Sequence, residues 1–285
     1  MGMPLQSLAL LLIEHKRRPL EGPVLIYGVQ GTNLPFLTAQ ALFAHFGMEP
    51  HYDALSPMPA ANDPLSVVQF FALLGLGNAT VLDVSDYEGA DVIVDLNVPV
   101  PADLRARFGL ILDGGTMEHV FDIRQGMANT VDMLRTGGTA VHITPSNNYF
   151  NHGFVQVSPT LYYDYYRANG FDDVHGTVIV HPRRNYYFVP WKLIDYDTVR
   201  FGGANSLFCD NATQLAVYFS ARKTAASTSD VIPIQSYFGR TPYQQTNENH
   251  QFDVRYDETN PTLQLVNEPE SATTVNLSLS KLLGF

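Results

Sequence analysis

One cysteine, Cys209, stands in 285 residues, which excludes an intramolecular disulfide framework and any multi-cysteine metal site. A reducing compartment, the cytoplasm, is the expected setting. Cations are scarce as well: 17 Lys and Arg face 28 Asp and Glu, for a net charge of −11. Affinity for a phosphate backbone or an anionic membrane surface comes from those cations, so neither nucleic acid nor a membrane is an expected partner. Long apolar runs are missing. The stretch Leu8 to Ile13 is far too short to span a bilayer, has no basic segment before it and runs into Glu14 to Arg18, so no export signal is expected. A full G-x-G-x-x-G is absent too, and the nearest match to Tyr-x-x-x-Lys, at Tyr163, ends on Arg167. Both gaps rank a nicotinamide-dependent oxidoreductase last among the readings.

What is present is a chain with 45% apolar residues, enough to bury a full core. Residues 1–20 predict an amphipathic helix packed on the domain, its basic end stopped by Pro19. Val24 to Gly28 (VLIYG) reads as a buried strand, Val29 to Thr32 as a turn, and about Pro35 to Phe46 as a helix. The proline-rich stretch from Met48 to Pro64 predicts a long loop, near the site or on the surface. Val67 to Leu76 reads as helical. Ala79 to Val84 and Ala90 to Leu96 are predicted as strands ending in Asp83 and Asp95, where a carboxylate can accept ribose hydroxyls or an adenine amine. Each acid alone is also an ordinary cap or turn former.

The chain is organised around Phe108 to Phe121, FGLILDGGTMEHVF: a buried strand, a polar turn at Asp113, Gly114 and Gly115, and a helix predicted from Thr116 that carries Glu118 and His119. Asp122 and Gln125 have the spacing of a capping box for the next helix. Thr139 to Thr144 is a further strand, with His142 as a core or helix-facing histidine, and it delivers SNNYFNHGF to the same sheet edge. Pro159 to Asn169 reads as a tyrosine-rich helix, its tyrosines packing rather than forming a cage. Val174 to Val180 and Thr213 to Arg222 are two more strands. Their aromatic linker, His181 to Ala212, has the length of a loop that covers a site. Residues 224–285 form an extension, polar from 239 onward, that either wraps the domain or makes a homo-oligomer contact.

Alternating strands and helices with a polar residue at each strand end, closing on two consecutive strands, resemble the class I S-adenosylmethionine-dependent methyltransferase fold over residues 21–223. The run ILDGGTMEHVFDIRQGMANTVDMLRTGGTAVHITPSN looks like that family's fourth strand, E-H-V helix start, L-x-x-G-G turn and fifth strand. The DVSDYEGADVIVDLN segment and Asn151 to Pro159 are similar to a bacterial subgroup. The resemblance implies a Rossmann-like α/β fold: a seven-stranded, mostly parallel sheet with a last antiparallel strand and helices on both faces. It implies S-adenosylmethionine as cofactor and a small-molecule or sugar-like acceptor. Carried over by position, Gly28, Gln30 and Gly31 line the methionine part of the cofactor and Asp83 bonds the ribose. Asp95 and Leu96 fall at the adenine, and Asp113 beside the sulfonium. Ile26, Gln30 and Thr32 stand where the family's first motif has an acid and two glycines. For an O-directed transfer a general base is needed, with His119 first and His152 second, and with Asn148 and Tyr149 as substrate contacts. The plain alternative for His119 is a histidine bonded to the backbone at a helix start. Asp113 with Asn147 or Asn148 is a poor cage for Mg²⁺, and no metal is expected. A methyltransferase-fold binding or scaffold protein without turnover is the competing reading.

Overall fold

A computed structural model of the chain describes residues 2–184, 190–196 and 213–236, together with short strands at 253–254, 265–266 and 272–275. Helix α1 (Leu5–Arg17) precedes strand β1 (Val24–Tyr27), short strand β2 (Gly31–Pro35) and helix α2 (Phe36–His45). Next come β3 (Pro64–Ser66), α3 (Val67–Leu73), β4 (Thr80–Asp83) and β5 (Val92–Ile93). The chain continues through β6 (Phe108–Asp113), α4 (Ile123–Met133), β7 (Leu134–Pro145) and α5 (Pro159–Ala168). Strands β8 (Asp172–Pro182), β9 (Trp191–Tyr196) and β10 (Thr213–Arg222) follow. Beyond them β11 (Asp253–Val254) pairs with β12 (Leu265–Val266), and the last strand is β13 (Ala272–Val275).

Nine strands make one sheet in the order β13-β9-β8-β10-β7-β6-β1-β4-β5. From β5 to β7 all neighbours run parallel, while β10 is antiparallel to both β7 and β8. This is the mostly parallel Rossmann-like α/β sheet with an antiparallel last strand. It is larger than seven strands, because β9 pairs antiparallel with β8 and β13 with β9. β9 lies inside the stretch read from sequence as a loop. Its Trp191, Leu193, Ile194 and Tyr196 are buried, and it covers a β8 edge that would otherwise present unpaired backbone groups. The rest of that linker, 185–189 and 197–212, falls outside the described residues, as does most of the 239–285 tail.

Side-chain alternation along the strands divides the core in two. Val24, Ile26, Leu110 and Leu112 face one side, against α1, α2 and α3; Leu25, Tyr27 and Ile111 face the other, with Met127, Val131 and the tyrosines of α5. Strands buried on both faces read as unbroken apolar runs, which is why VLIY and LIL stand out in the sequence. Helix α1 is buried from Leu5 through Leu12 and also at Glu14, with Arg17 bonded both to Glu14 and to Asp173 at the start of β8. Among the described residues no helix is long and apolar enough to cross a membrane.

Two predicted elements, β5 and α3, came out shorter. β5 keeps only Val92 and Ile93 of the expected Ala90 to Leu96, since the Asp91 carboxylate accepts the Val81 N–H and Asp95 folds onto Asn97. Helix α3 stops at Leu73 and begins at Ser66 with a complete capping box. The box expected at Asp122 is half formed: Asp122 accepts the Gln125 N–H, but the Gln125 side chain donates to Asn129 instead. The turn expected at Val29 to Thr32 is partly strand, since β2 pairs antiparallel with β3. Residues Ser56 to Pro59 of the proline-rich stretch line a surface depression of about 380 Å³ that includes none of the expected site residues.

Candidate active site

Sheet order reverses between β1 and β6, because β4 and β5 lie on one side of β1 whereas β6 and β7 lie on the other. The crevice beyond the carboxyl ends of β1 and β6 is therefore the place where this class of sheet binds ligands. Gly28 ends β1 there with φ +71°, and a Cβ on it would lie 2.9 Å from Thr116 Oγ1, 3.3 Å from Gln30 Nε2 and 3.8 Å from Asp83 Oδ2. Three side chains from three strand ends thus converge on a position only glycine suits. Thr116 and Gln30 both donate to the Tyr27 carbonyl, at 3.0 and 3.3 Å. Gln30 is buried and its Oε1 has no partner, an acceptor left open in the crevice. Asp83 turns its Oδ1 to the Val84 and Ser85 N–H groups, with Oδ2 on the Gly28 side. A nucleoside with an amino-acid tail would find acceptors here, Asp83 Oδ2 for hydroxyls and Gln30 Oε1 for an ammonium.

The other residues expected around a cofactor are placed differently. Gly31 lies in β2, opposite Ser66, and its carbonyl accepts the Met3 N–H. The Met3 side chain packs against Gly114 at the edge of the crevice. Asp95 is exposed, and hydrogen bonds from the Asn97 backbone and side chain hold its carboxyl below the ordinary range. Leu96 is buried in the second core. The two follow β5 next to Asp83, whose carbonyl accepts the Val94 N–H at 2.8 Å. Asp113 is fully buried. Its Oδ1 accepts the Thr116 and Met117 N–H groups, and its Oδ2 meets His142 Nδ1 at 2.9 Å. His142 Nε2 lies 2.7 Å from the Tyr166 hydroxyl. Burial, reinforced by neighbouring tyrosines and Asp113, holds that phenol well above its ordinary value, so it donates to Nε2 and the Nδ1–H donates to Asp113. Asp113 thus anchors the strand end from within the core, and all four α5 tyrosines are buried packing residues.

Past Asp113 the backbone makes a single 3₁₀ turn, Met117–His119, in place of the predicted helix. The reason is a crossing chain. The Glu118 carbonyl accepts the Phe154 and Val155 N–H groups, at 2.8 and 3.2 Å, and is not free for the next helical turn. Gly153 permits this, since a Cβ there would stand 2.7 Å from the Glu118 carbonyl oxygen. His152 is thereby laid beside His119, ring centroids 5.2 Å apart, and Tyr149 beside His152 at 5.8 Å. Between the two imidazoles sits Glu118. Its side chain is completely buried, its Oε1 is 3.8 Å from His119 Nε2 and 3.5 Å from His152 Nε2, and neither carboxyl oxygen has a hydrogen-bond partner. Burial, then the charge of Asp113, pushes the Glu118 carboxyl up to about 8. Burial also lowers both histidines, with His119 adding to the effect on His152.

Tyr149 donates its hydroxyl toward His181 Nε2 at 2.6 Å, and burial, then the Glu118 charge, holds that phenol above its ordinary value. Asn148, at φ +70°, donates its amide to the Thr213 carbonyl and receives Gln214 at its own carbonyl, so it joins the loop to β10. A narrow cavity lined by Met3, Gly114, Thr144, Tyr149, His181 and Trp191 runs between Gly114 and Tyr149. Phe121 and Phe154, in edge-to-face contact, rim the histidine corner and are exposed. In the sequence His119, His152 and Tyr149 stand out separately as site candidates, whereas Glu118 and Thr116 do not. The signal available for Glu118 was its place beside His119 in a turn leaving a buried strand.

No family model and no curated protein matches the sequence. Among solved structures the chain is similar to the CMeT domain of citrinin polyketide synthase, at 11% identity over 77% of this chain and 52% of that one, TM-score 0.38. The chain thus spans about half the length of that protein. It is also similar to a SAM-dependent methyltransferase from Archaeoglobus fulgidus, at 12% identity over 76% of this chain and 95% of that one, TM-score 0.38. A third is 1,6-didemethyltoxoflavin-N1-methyltransferase from Burkholderia thailandensis, solved with bound 1,6-didemethyltoxoflavin and S-adenosylhomocysteine, at 12% identity over 77% of both chains, TM-score 0.30. Likenesses with TM-scores below 0.5 carry no weight on their own, and the fold stands on the order and sense of the strands.

Proposed function

We propose that this chain is an S-adenosylmethionine-dependent methyltransferase that acts on an oxygen of a small-molecule or sugar-like acceptor. One observation carries the reading: the turn that leaves β6 packs Thr116 against Gly28, beside Gln30 and Asp83, and two residues on carries Glu118 and His119 next to His152. When bound, S-adenosylmethionine supplies an electrophilic methyl group. Asp83 is suited to accept from ribose hydroxyls, and Gln30 Oε1 from the ammonium of the methionine portion. Methyl transfer is an in-line displacement, so the protein's main contribution is to hold the acceptor in line and keep water out. Burial lowers both His119 and His152, which favours the neutral imidazole that can take the acceptor's proton. The exposed Phe121 and Phe154 give an acceptor an apolar edge to lie against.

A binding protein that keeps the fold without turnover is favoured by one feature, the Met3 side chain packed against Gly114 at the crevice edge. Calorimetric titration with S-adenosylmethionine and with NAD tests the proposal. Heat with the first and none with the second is expected; no heat and no thermal shift with S-adenosylmethionine would sink it. A methyl-release screen on sugars, nucleotide sugars and phenols then separates enzyme from binding protein. In that screen His119→Ala is expected to lose at least about 100-fold in turnover, and unchanged turnover removes His119 from the chemistry.

A further inference from the structure

Glu118 poses a problem that the methyl-transfer reading leaves open. Its carboxyl group is completely buried, yet both oxygens lack a hydrogen-bond partner, and His152 Nε2, facing it, is a second buried polar atom without one. A buried polar atom that nothing pairs with is costly, and three such atoms in one corner are more than a loose fit explains. All three side chains of this corner, Glu118, His119 and His152, offer a ligand atom, and those atoms lie within 4.8 Å of one another. The distances from Glu118 Oε1 to the two imidazole nitrogens, 3.5 and 3.8 Å, are too long for hydrogen bonds. They are close to what an ion imposes: with bonds of about 2.0–2.2 Å in a tetrahedral shell, ligand atoms stand about 3.3–3.6 Å apart.

We propose that Glu118, His119 and His152 form a binding site for one divalent transition-metal ion of the zinc class. Two imidazoles and one carboxylate suit zinc, iron, cobalt or nickel rather than magnesium, which prefers an all-oxygen shell. Three protein ligands leave a fourth position. Glu118 closes the inner side, while the His119 and His152 side chains are 49% and 32% exposed, so the open position faces outward to the rim of Phe121 and Phe154. Three protein ligands with one open position are the arrangement of a catalytic rather than a structural ion site. The crossing backbone at Gly153 builds it, and Tyr149, wedged against the His152 ring, holds that imidazole in place. The site stands on geometry alone and does not depend on methyl transfer. Where both hold, the histidines act as ligands in the loaded protein, and an acceptor oxygen bound at the open position is acidified by the ion.

The test uses the full chain, stripped with a chelator, dialysed and titrated with Co²⁺ and then Zn²⁺. One Co²⁺ per chain is expected, with the visible ligand-field bands of a low-coordinate site, bleached as Zn²⁺ displaces it and untouched by Mg²⁺. Loss of partners one layer outside a metal costs about 10–100-fold in affinity, so loss of a ligand in Glu118→Gln, His119→Ala or His152→Ala should cost about 100-fold or more. His119→Ala removes an exposed side chain and Glu118→Gln keeps its shape, so both are expected to melt like the parent in chelator. His175→Ala, which removes a surface histidine near Asp195, should bind Co²⁺ unchanged. No Co²⁺ uptake, uptake equal in Glu118→Gln and His119→Ala to that of the parent, or displacement by Mg²⁺ would each overturn the proposal. S-adenosylmethionine titration of the same stripped samples keeps failure of the ion site distinct from failure of the methyl-transfer reading.

Discussion

His142 is held on three sides: one ring nitrogen on Asp113, the other on Tyr166, and a face stacked on Tyr162 at 4.2 Å. Tyr166→Phe keeps the ring packing and leaves His142 Nε2 buried and unpaired. It should cost about 1–3 kcal/mol, read as a lower urea midpoint with an unchanged slope. At Gly28 the expectation is different. Alanine there meets both the positive φ and the 2.9 Å approach to Thr116, so Gly28→Ala should destabilise by about 1–3 kcal/mol and abolish S-adenosylmethionine heat even where the protein is folded. Unaltered binding in that variant would move the cofactor away from the end of β1. Single residues were legible in sequence when their type limits their place: Gly28 after an apolar run, or Asp83 at a strand end. Asp113 shows the limit of that legibility, because an acid at a strand end can face the crevice or the core, and only its contacts with His142, Thr116 and Met117 decide.

Elements carry two further expectations. Helix α1 is tied to β8 by Arg17 and Arg18, which both pair with Asp173. Burial alone would raise that carboxyl, but the hydrogen bond from Arg17 and the charges of Arg18 and Arg17 outweigh it and hold it below its ordinary value. A depressed carboxyl stabilises the fold above its unfolded value, about 3.9, and that contribution is lost as pH falls through the folded value. Asp173 sits at φ +46°, where asparagine is at ease, so Asp173→Asn isolates the charge. The variant should be about 0.5–1 kcal/mol less stable near pH 6, with the gap closing in parallel urea titrations as the pH falls through the folded value. The second expectation concerns the loop that crosses the Met117–His119 turn. Gly153→Ala places a methyl group 2.7 Å from the Glu118 carbonyl oxygen and must push the two backbones apart. Co²⁺ affinity should fall at least about tenfold while the melting temperature changes little, because the contact is local. Helices and strands here were readable from apolar periodicity, whereas this turn was not. A helix start was expected at Thr116, and the hydrogen bonds that stop it come from residues far along the chain.

On the scale of the whole molecule, β9 and β13 extend the sheet past its last antiparallel pair, and β13 covers β9 on the outer side. Truncation after Ser236 removes β13 and leaves Trp191–Tyr196 as an open edge. The shortened protein is expected to self-associate, visible as a larger mass in light scattering, because an uncovered apolar strand is a template for another chain. Neither strand was predicted, since each is short and embedded in polar or aromatic sequence whose strand character depends on a neighbour being there. The sequence by itself determined the parallel half of the sheet, because strands buried on both faces must be apolar throughout and their crossing helices amphipathic. It also determined the glycine and the acid at the reversal point, where backbone shape and strand-end chemistry admit few residue types. Tertiary structure alone decided that Asp113 turns inward and that Glu118, His119 and His152 share one corner. That meeting rests on one close backbone crossing at Gly153, a long-range contact that no local periodicity encodes.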